Sequence, residues 1–263
     1  MSKTYLRLHL EGVQQSWGEY TSNTERSTLR FPTRSGVVGL LSASLGLLRG
    51  DPRIPQLHSS IRVHSRVLRE GSVTQDYGNH TNYSPEDGWD SAKKGGRGGQ
   101  ASIRDRRLNV FSLGEREVAG KQIWRDFLED WAFEVLLEVL PGCPFTLDEL
   151  AGALREPRFF QYLGRKACFP LYPVYTGQVE AASPLEGFRL PFPEEVLLED
   201  PSERYAAGGS AHLDCATLSE DAVPAGFGVL PVTVRDAVRG EHGRIFHERR
   251  GWVLAPNAEV SNF

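Results

Sequence analysis

An α+β fold with a βαββαβ body is what this sequence predicts, on three observations. Tyr5 to Leu10 sets Leu6, Leu8 and Leu10 on one face and Tyr5, Arg7 and His9 on the other, the period of two of a half-buried strand. A helix-like apolar run from Gly36 to Leu48 follows it, and a strand-helix-strand pattern recurs after residue 130. Between the halves, residues 84–101 are too polar and glycine-rich to bury a core of their own.

The elements read in order as follows. After the first strand, a polar stretch to Arg34 keeps Val13, Trp17, Tyr20, Leu29 and Phe31 as apolar anchors, and Ser35 is a suitable N-cap for a helix to about Leu48. Gly50, Pro52 and Pro55 end it. Ile61, Val63 and Val67 make a second strand from about Ser60 to Arg69, with Gly71 at a turn. The 84–101 stretch reads as a mobile loop or hairpin tip. Gln122 to Leu140 is ambiguous: Ile123, Phe127 and Trp131 suit a helix, whereas Phe133, Val135, Leu137 and Val139 alternate, and strand is favoured from Ala132. Thr146 and Glu149 form a capping-box pattern before Leu147, Leu150 and Leu154, and Pro157 closes that helix. Pro173 to Val179 supplies a fourth strand. This order matches a ferredoxin-like body of RNA-recognition-motif type over residues 1–180, with a long insertion. Residues 181–263, with β-prone runs at Val232–Val234 and Trp252–Leu254, read as a small, mostly β appendage.

Composition narrows the function classes. Cys143, Cys168 and Cys215 are an odd number without C-x-x-C spacing, which fits a reducing compartment and no zinc site. The run from Gly36 to Leu48 is shorter than the roughly 20 residues of a membrane span. Arg7 and Glu11 inside the first apolar stretch do not suit a signal peptide, so a cytoplasmic protein without membrane contact is expected. A net charge of -4 argues against bulk affinity for nucleic acid. That average conceals a split. Residues 1–110 carry sixteen Lys and Arg against ten Asp and Glu, and residues 111–263 carry fourteen against twenty-four. Arg outnumbers Lys twenty-five to five, which base composition alone can produce.

Two clusters suit a polyanion. Arg26, Arg30, Phe31, Pro32, Thr33, Arg34, Ser35 and Gly36 lead guanidinium groups into a helix N-terminus, where free N–H groups and the helix dipole favour phosphate. The same residues also read as a solvated arginine loop that caps its helix. Tyr162, Gly164, Arg165 and Lys166 put an aromatic beside two cations, which suits unpaired bases, or equally a surface turn with its aromatic packed inward. Lys93, Lys94, Arg97, Arg104, Arg106 and Arg107 make the insertion basic. His58, His64, His80, His212, His242 and His247 supply imidazoles for a metal-independent ribonuclease, but no spacing singles any out. No Walker loop, G-x-S-x-G or H-E-x-x-H is present. An enzyme is the minority reading, with no cofactor implied.

Leu10-Glu11-Gly12-Val13-Gln14-Gln15-Ser16-Trp17-Gly18, Phe31 to Leu41 and Pro157 to Cys168 resemble the Cas-five family of CRISPR proteins, in particular its type I-E Cascade members. The likeness continues through Asp76-Tyr77, His80-Thr81, Gln122 to Asp130 and Phe246 to Leu254, and the 84–101 stretch departs from it by its length. The resemblance implies a body with a thumb hairpin at about 72–125 that caps the crRNA and holds its 5′ handle. It further implies two neighbours, the Cascade backbone subunit and the Cascade large subunit, and target DNA met only through the assembled complex. RNA contacts would fall to Gln15, Trp17, Arg26, Arg30, Thr33, Arg34, Ser35, Gly36, Lys93, Lys94, Arg106, Arg107, Tyr162, Arg165 and Lys166. Type I-E members leave processing to a separate nuclease, so no catalytic residue is implied; type I-C relatives cleave repeat RNA, the alternative.

Overall fold

A computed structural model describes residues 2–18, 25–81, 120–191, 210–214, 227–239 and 245–256 of the 263. Mixed α/β and rich in sheet, it builds its centre from β1 (Lys3–Glu11), whose alternation the sequence made plain. Short pairs follow: β2 (Gln14–Gln15), β3 (Trp17–Gly18), β4 (Glu25–Arg26) and β5 (Thr28–Leu29). Next come α1 (Arg34–Leu45), α2 (Arg53–Ser60), β6 (Ile61–Arg69), β7 (Ser72–Thr81), β8 (Gly120–Glu129) and β9 (Ala132–Val139). The described chain closes with α3 (Leu147–Arg155), β10 (Tyr175–Ala181), α4 (Pro184–Gly187), β11 (Ala211–Leu213), β12 (Phe227–Arg239) and β13 (Ile245–Pro256).

Seven strands form one sheet in the order β10-β1-β9-β6-β11-β13-β12. All its pairings are antiparallel. The strands of residues 211–256 therefore extend the central sheet from β6 and have no separate sheet. The β7–β8 pair is a long antiparallel ladder from Ser72↔Glu129 to Thr81↔Gly120. It fills both ends of the expected insertion and makes strand of 120–129, where the spacing of Ile123 and Phe127 suits a helix and strand is expected only from Ala132. Residues 82–119, with the 84–101 stretch, Lys93, Lys94, Arg106 and Arg107, lie outside the described residues.

Three helix boundaries differ from expectation. The N-cap of α1 is Thr33, in extended conformation, whose hydroxyl accepts from the Gly36 N–H at 3.2 Å; Ser35 lies inside the helix. The helix ends at Gly46, which takes the left-handed conformation at φ 74°, three residues before Arg49 and well ahead of Gly50. Pro55 sits inside α2 without breaking it, because it is third in the helix, where a backbone N–H has no intrahelical acceptor to lose. The capping box on α3 is present as read: Glu149 N–H donates to the Thr146 hydroxyl and the Glu149 carboxylate accepts from Thr146 N–H.

One face of the sheet packs Leu6, Leu8, Leu10, Val63, Phe133, Val135 and Leu137 against the helices through Val37, Leu41, Leu150 and Leu154. The half-buried strand expected at β1 is in fact buried on both faces. On the second face Arg7, His9 and Glu11 are sealed along with Glu134 and His64. The charges pair across the strands. Arg7 Nε lies 2.8 Å from Glu134, Arg66 approaches the other Glu134 oxygen, and Arg69 holds Glu11 at 2.8 Å. Above them, residues 187–191 form a lid. Arg7 donates to the carbonyls of Gly187, Leu190 and Pro191, and the Arg66 guanidinium lies over the Phe188 ring. Burial pushes the Glu134 carboxyl up in pKa, opposed first by the Arg66 charge and then by Arg7, and it pushes the Arg7 guanidinium down, opposed by Glu134. Among the described residues no helix is long and apolar enough to cross a membrane.

Two predictions follow from this face. Glu134→Ala leaves the buried Arg7 and the partly exposed Arg66 guanidinium groups without their counter-ion and should cost about 3–5 kcal/mol in urea unfolding; a loss under about 1 kcal/mol would contradict the pairing. Glu138 is held at about 2, below its ordinary 4.5, by the His64 ring and then the Lys3 ammonium against the opposing push of burial. Its folded-state pKa is depressed, so the stability it contributes is whole above pH 4.5 and drains as pH falls toward 2. Glu138→Gln should therefore flatten the acid limb of stability against pH, and an unchanged slope between those values would refute it.

Candidate nucleic-acid interface

Three segments far apart in sequence meet at one place. The 10–18 segment runs from β1 through the turn at Gly12 into β2 and β3, and the 163–168 turn lies directly against it. Ser16 N–H donates to Leu163 O at 3.0 Å, Leu163 N–H to Cys168 O at 2.8 Å and Cys168 N–H to Arg165 O at 2.9 Å. The approach requires Gly164: its φ is 91°, and a Cβ there would stand 1.7 Å from the Ser16 carbonyl oxygen. The third segment enters at Gly36, where a Cβ would meet the Trp17 ring at 2.7 Å. The C-terminal end of α1 is tied to the same loop, with Arg158 N–H on Ser44 O and Phe159 N–H on Ala43 O.

The expected contact residues divide between scaffold and surface. Gln15 and Trp17 are both 0% exposed. The Gln15 amide donates to Trp131 O at 2.6 Å and accepts from Trp17 Nε1 at 3.1 Å, so these two side chains shape the surface from beneath and cannot touch a ligand. Thr33 is buried as the helix cap, and Gly36 N–H is taken by it. Ser35 Oγ stands 3.4 Å from the Thr33 hydroxyl. Arg34 directs its fork at Asp214, with Nε donating at 2.7 Å, and the same carboxylate accepts Val63 N–H at 3.0 Å. The Arg34 fork, expected to face a phosphate, is engaged here by the chain's own carboxylate. Nothing in the sequence signals that partner, 180 positions away.

The cations that do converge are Arg26, Arg125 and Arg165. Arg26 pairs with Arg125 across β4 and β8. The Arg165 guanidinium lies over the Phe127 ring, 4.7 Å from its centroid, and donates to Arg26 O at 3.0 Å and Asp126 O at 3.3 Å. Burial pushes Arg165 below its usual pKa; Cys168 opposes this, and the Arg125 and Arg26 charges add to it. An anion placed here relieves that repulsion. Arg125 was absent from the expected set because its place in the cluster depends on the β4–β8 register. Arg30 stands nearby in sequence in a 3.6 Å surface pair with Glu70. Lys166 is exposed, and Tyr162 meets Phe169 edge-on at 5.2 Å.

The described histidines offer no such convergence. His58, His64 and His212 are buried, and the side chains of His80, His242 and His247 lie outside the described set. Among the described residues no group of three His, Cys, Asp or Glu is placed to hold a metal ion.

The family model for CRISPR-associated protein (Cas_Cas5) matches residues 5–227. A protein of Escherichia coli (strain K12), CRISPR system Cascade subunit CasD, is 34% identical over 191 residues, which are 69% of this chain and 74% of that protein. A chain of a solved CRISPR RNA-guided surveillance complex superposes with a TM-score of 0.58 at 25% identity, covering 97% of this chain and 92% of that one. A second structure, described as a Cas protein, gives 0.51 at 24% identity over 98% and 97%, a likeness of fold alone.

Gly164→Ala should break the seat of the turn on Ser16, and hydrogen exchange reads this directly. The Ser16 and Leu163 amides should lose protection while α1 and β9 keep theirs; equal protection in the variant would show that the turn tolerates a side chain.

Proposed function

The chain belongs to the CRISPR-associated Cas5 family, and from that premise we propose that it is a cytoplasmic, non-catalytic subunit of a type I-E Cascade, binding the 5′ handle of crRNA and capping the complex. Its body is read as ferredoxin-like, on the support of the β10-β1-β9-β6 order with helices between the first two and last two of these strands in sequence. The β7–β8 ladder is read as the stem of a thumb, and residues 181–263 as a β-rich addition to the 1–180 body. On this reading the backbone subunit and the large subunit are its neighbours, and target DNA is met only through them.

The observation that carries the proposal is the convergence of Arg26, Arg125 and Arg165 where β4, β8 and the 163–168 turn meet. Guanidinium forks on a fixed backbone suit phosphates of a bent single strand. Arg26, Arg30, Arg165 and Lys166 are assigned to the phosphates, with Tyr162 beside them; Arg34, Gln15, Trp17, Thr33 and Gly36 hold the frame. Lys93, Lys94, Arg106 and Arg107 extend the grip along the thumb.

Binding of handle-containing RNA to the purified chain tests this. Arg26→Ala with Arg165→Ala should weaken affinity by tenfold or more and lower the slope of log affinity against log salt by about 1–2. Unchanged affinity and slope would remove the assignment.

A further inference from the structure

The loop between α3 and β10 displays aromatic side chains that the cation cluster does not use. Phe160 is 75% exposed, Phe169 55% and Phe159 48%. Large apolar side chains are seldom left this open in a group. Their backbone is held firmly. Phe159 N–H is bonded to Ala43 O, the Gln161 amide donates to Ser44 Oγ at 2.9 Å, and Leu171 N–H donates to Glu11 O at 2.9 Å. Rings on a pinned backbone lose little conformational freedom when a planar group settles on them.

Charge decides the kind of group. Residues 155–172 contain Arg155, Arg158, Arg165 and Lys166 against Glu156 alone, interleaved with the three phenylalanines, Tyr162 and Tyr172. Arg155 already lies over the Tyr175 ring at 4.7 Å, and Tyr162 meets Phe169 edge-on. Cations that track phosphates, alternating with open aromatic faces, are the chemistry of single-stranded nucleic acid. A basic partner surface would be opposed by this density of positive charge, and a polyanion attracted. We propose that Phe159, Phe160 and Phe169 form a platform on which unpaired bases of the bound RNA stack, beside the phosphate grip of Arg26 and Arg165. The inference rests on the RNA-binding reading and adds to it a contact with the base faces.

Oligoribonucleotides with and without bases at successive positions separate the two. Phe160→Ala with Phe169→Ala in the full chain should weaken binding of the intact strand at least about fivefold. The same pair should leave affinity for the abasic strand, and the salt slope, unchanged. Equal losses on both strands would show that the rings act through the fold or the phosphates, and no loss on either would show that they face something other than RNA; both outcomes overturn the platform. Failure of the phosphate grip is read separately, as an unchanged salt slope in the Arg26 and Arg165 variants.

Discussion

Glu134 is the constraint on which the rest of the structure depends. It sits fully buried on β9, flanked by Arg7 of β1 and Arg66 of β6, so three strands are locked in register by charges of which Arg7 and Glu134 are buried and Arg66 partly so. Such a triad confers little net stability, because desolvation offsets most of the attraction, but it penalises any arrangement that separates its members. The lid of residues 187–191 completes it by offering carbonyls to Arg7 and a ring to Arg66. The sheet face that a body of RNA-recognition type would offer to bases is therefore closed in this chain. Among the described residues, that leaves strand ends, turns and the β7–β8 ladder for a ligand.

The place left for it is set by close packing. Three backbone approaches depend on the absence of a side chain: Gly164 over Ser16, Gly36 against Trp17, and Gly12 beneath the Phe169 carbonyl. Trp17 and Gln15 fill the space below, and Arg34 ties the start of α1 to Asp214 at the end of β11. The conspicuous residues of the 10–18 and 31–41 segments are thus mostly beneath the surface, while the guanidinium groups of Arg26 and Arg165 are what that frame holds in position.

Local signals in the sequence survived wherever the deciding interaction is local. The alternation of Leu6, Leu8 and Leu10, the Thr146–Glu149 box and the turn at Gly71 all act within a few residues, and each is found where it was read. What was illegible depends on distant partners. Periodicity marks Arg7, His9 and Glu11 as an outer face, because it cannot see that Glu134, Arg69 and residues 187–191 close over them. Ser35 reads as the cap from sequence, but the extended backbone at Thr33 gives the cap to that residue. For 120–129, the helical spacing of Ile123 and Phe127 loses to pairing with β7, which lies across the 38 residues of 82–119. The role of Arg34 turned on Asp214, and the relevance of Arg125 on β4.

Net charge then acquires a structural meaning. The chain is acidic overall, at -4, with the excess in its second half, so a polyanion meets general repulsion and a small basic area. The cations assigned to the strand work against that background, so counterion release alone does not account for the grip. A grip of this kind gains its affinity from fixed geometry and from contacts other than charge. That is the physical setting in which a stiff, basic turn bordered by open aromatic rings is more useful than a broad cationic surface. It favours one strand held in one conformation over nucleic acid in general.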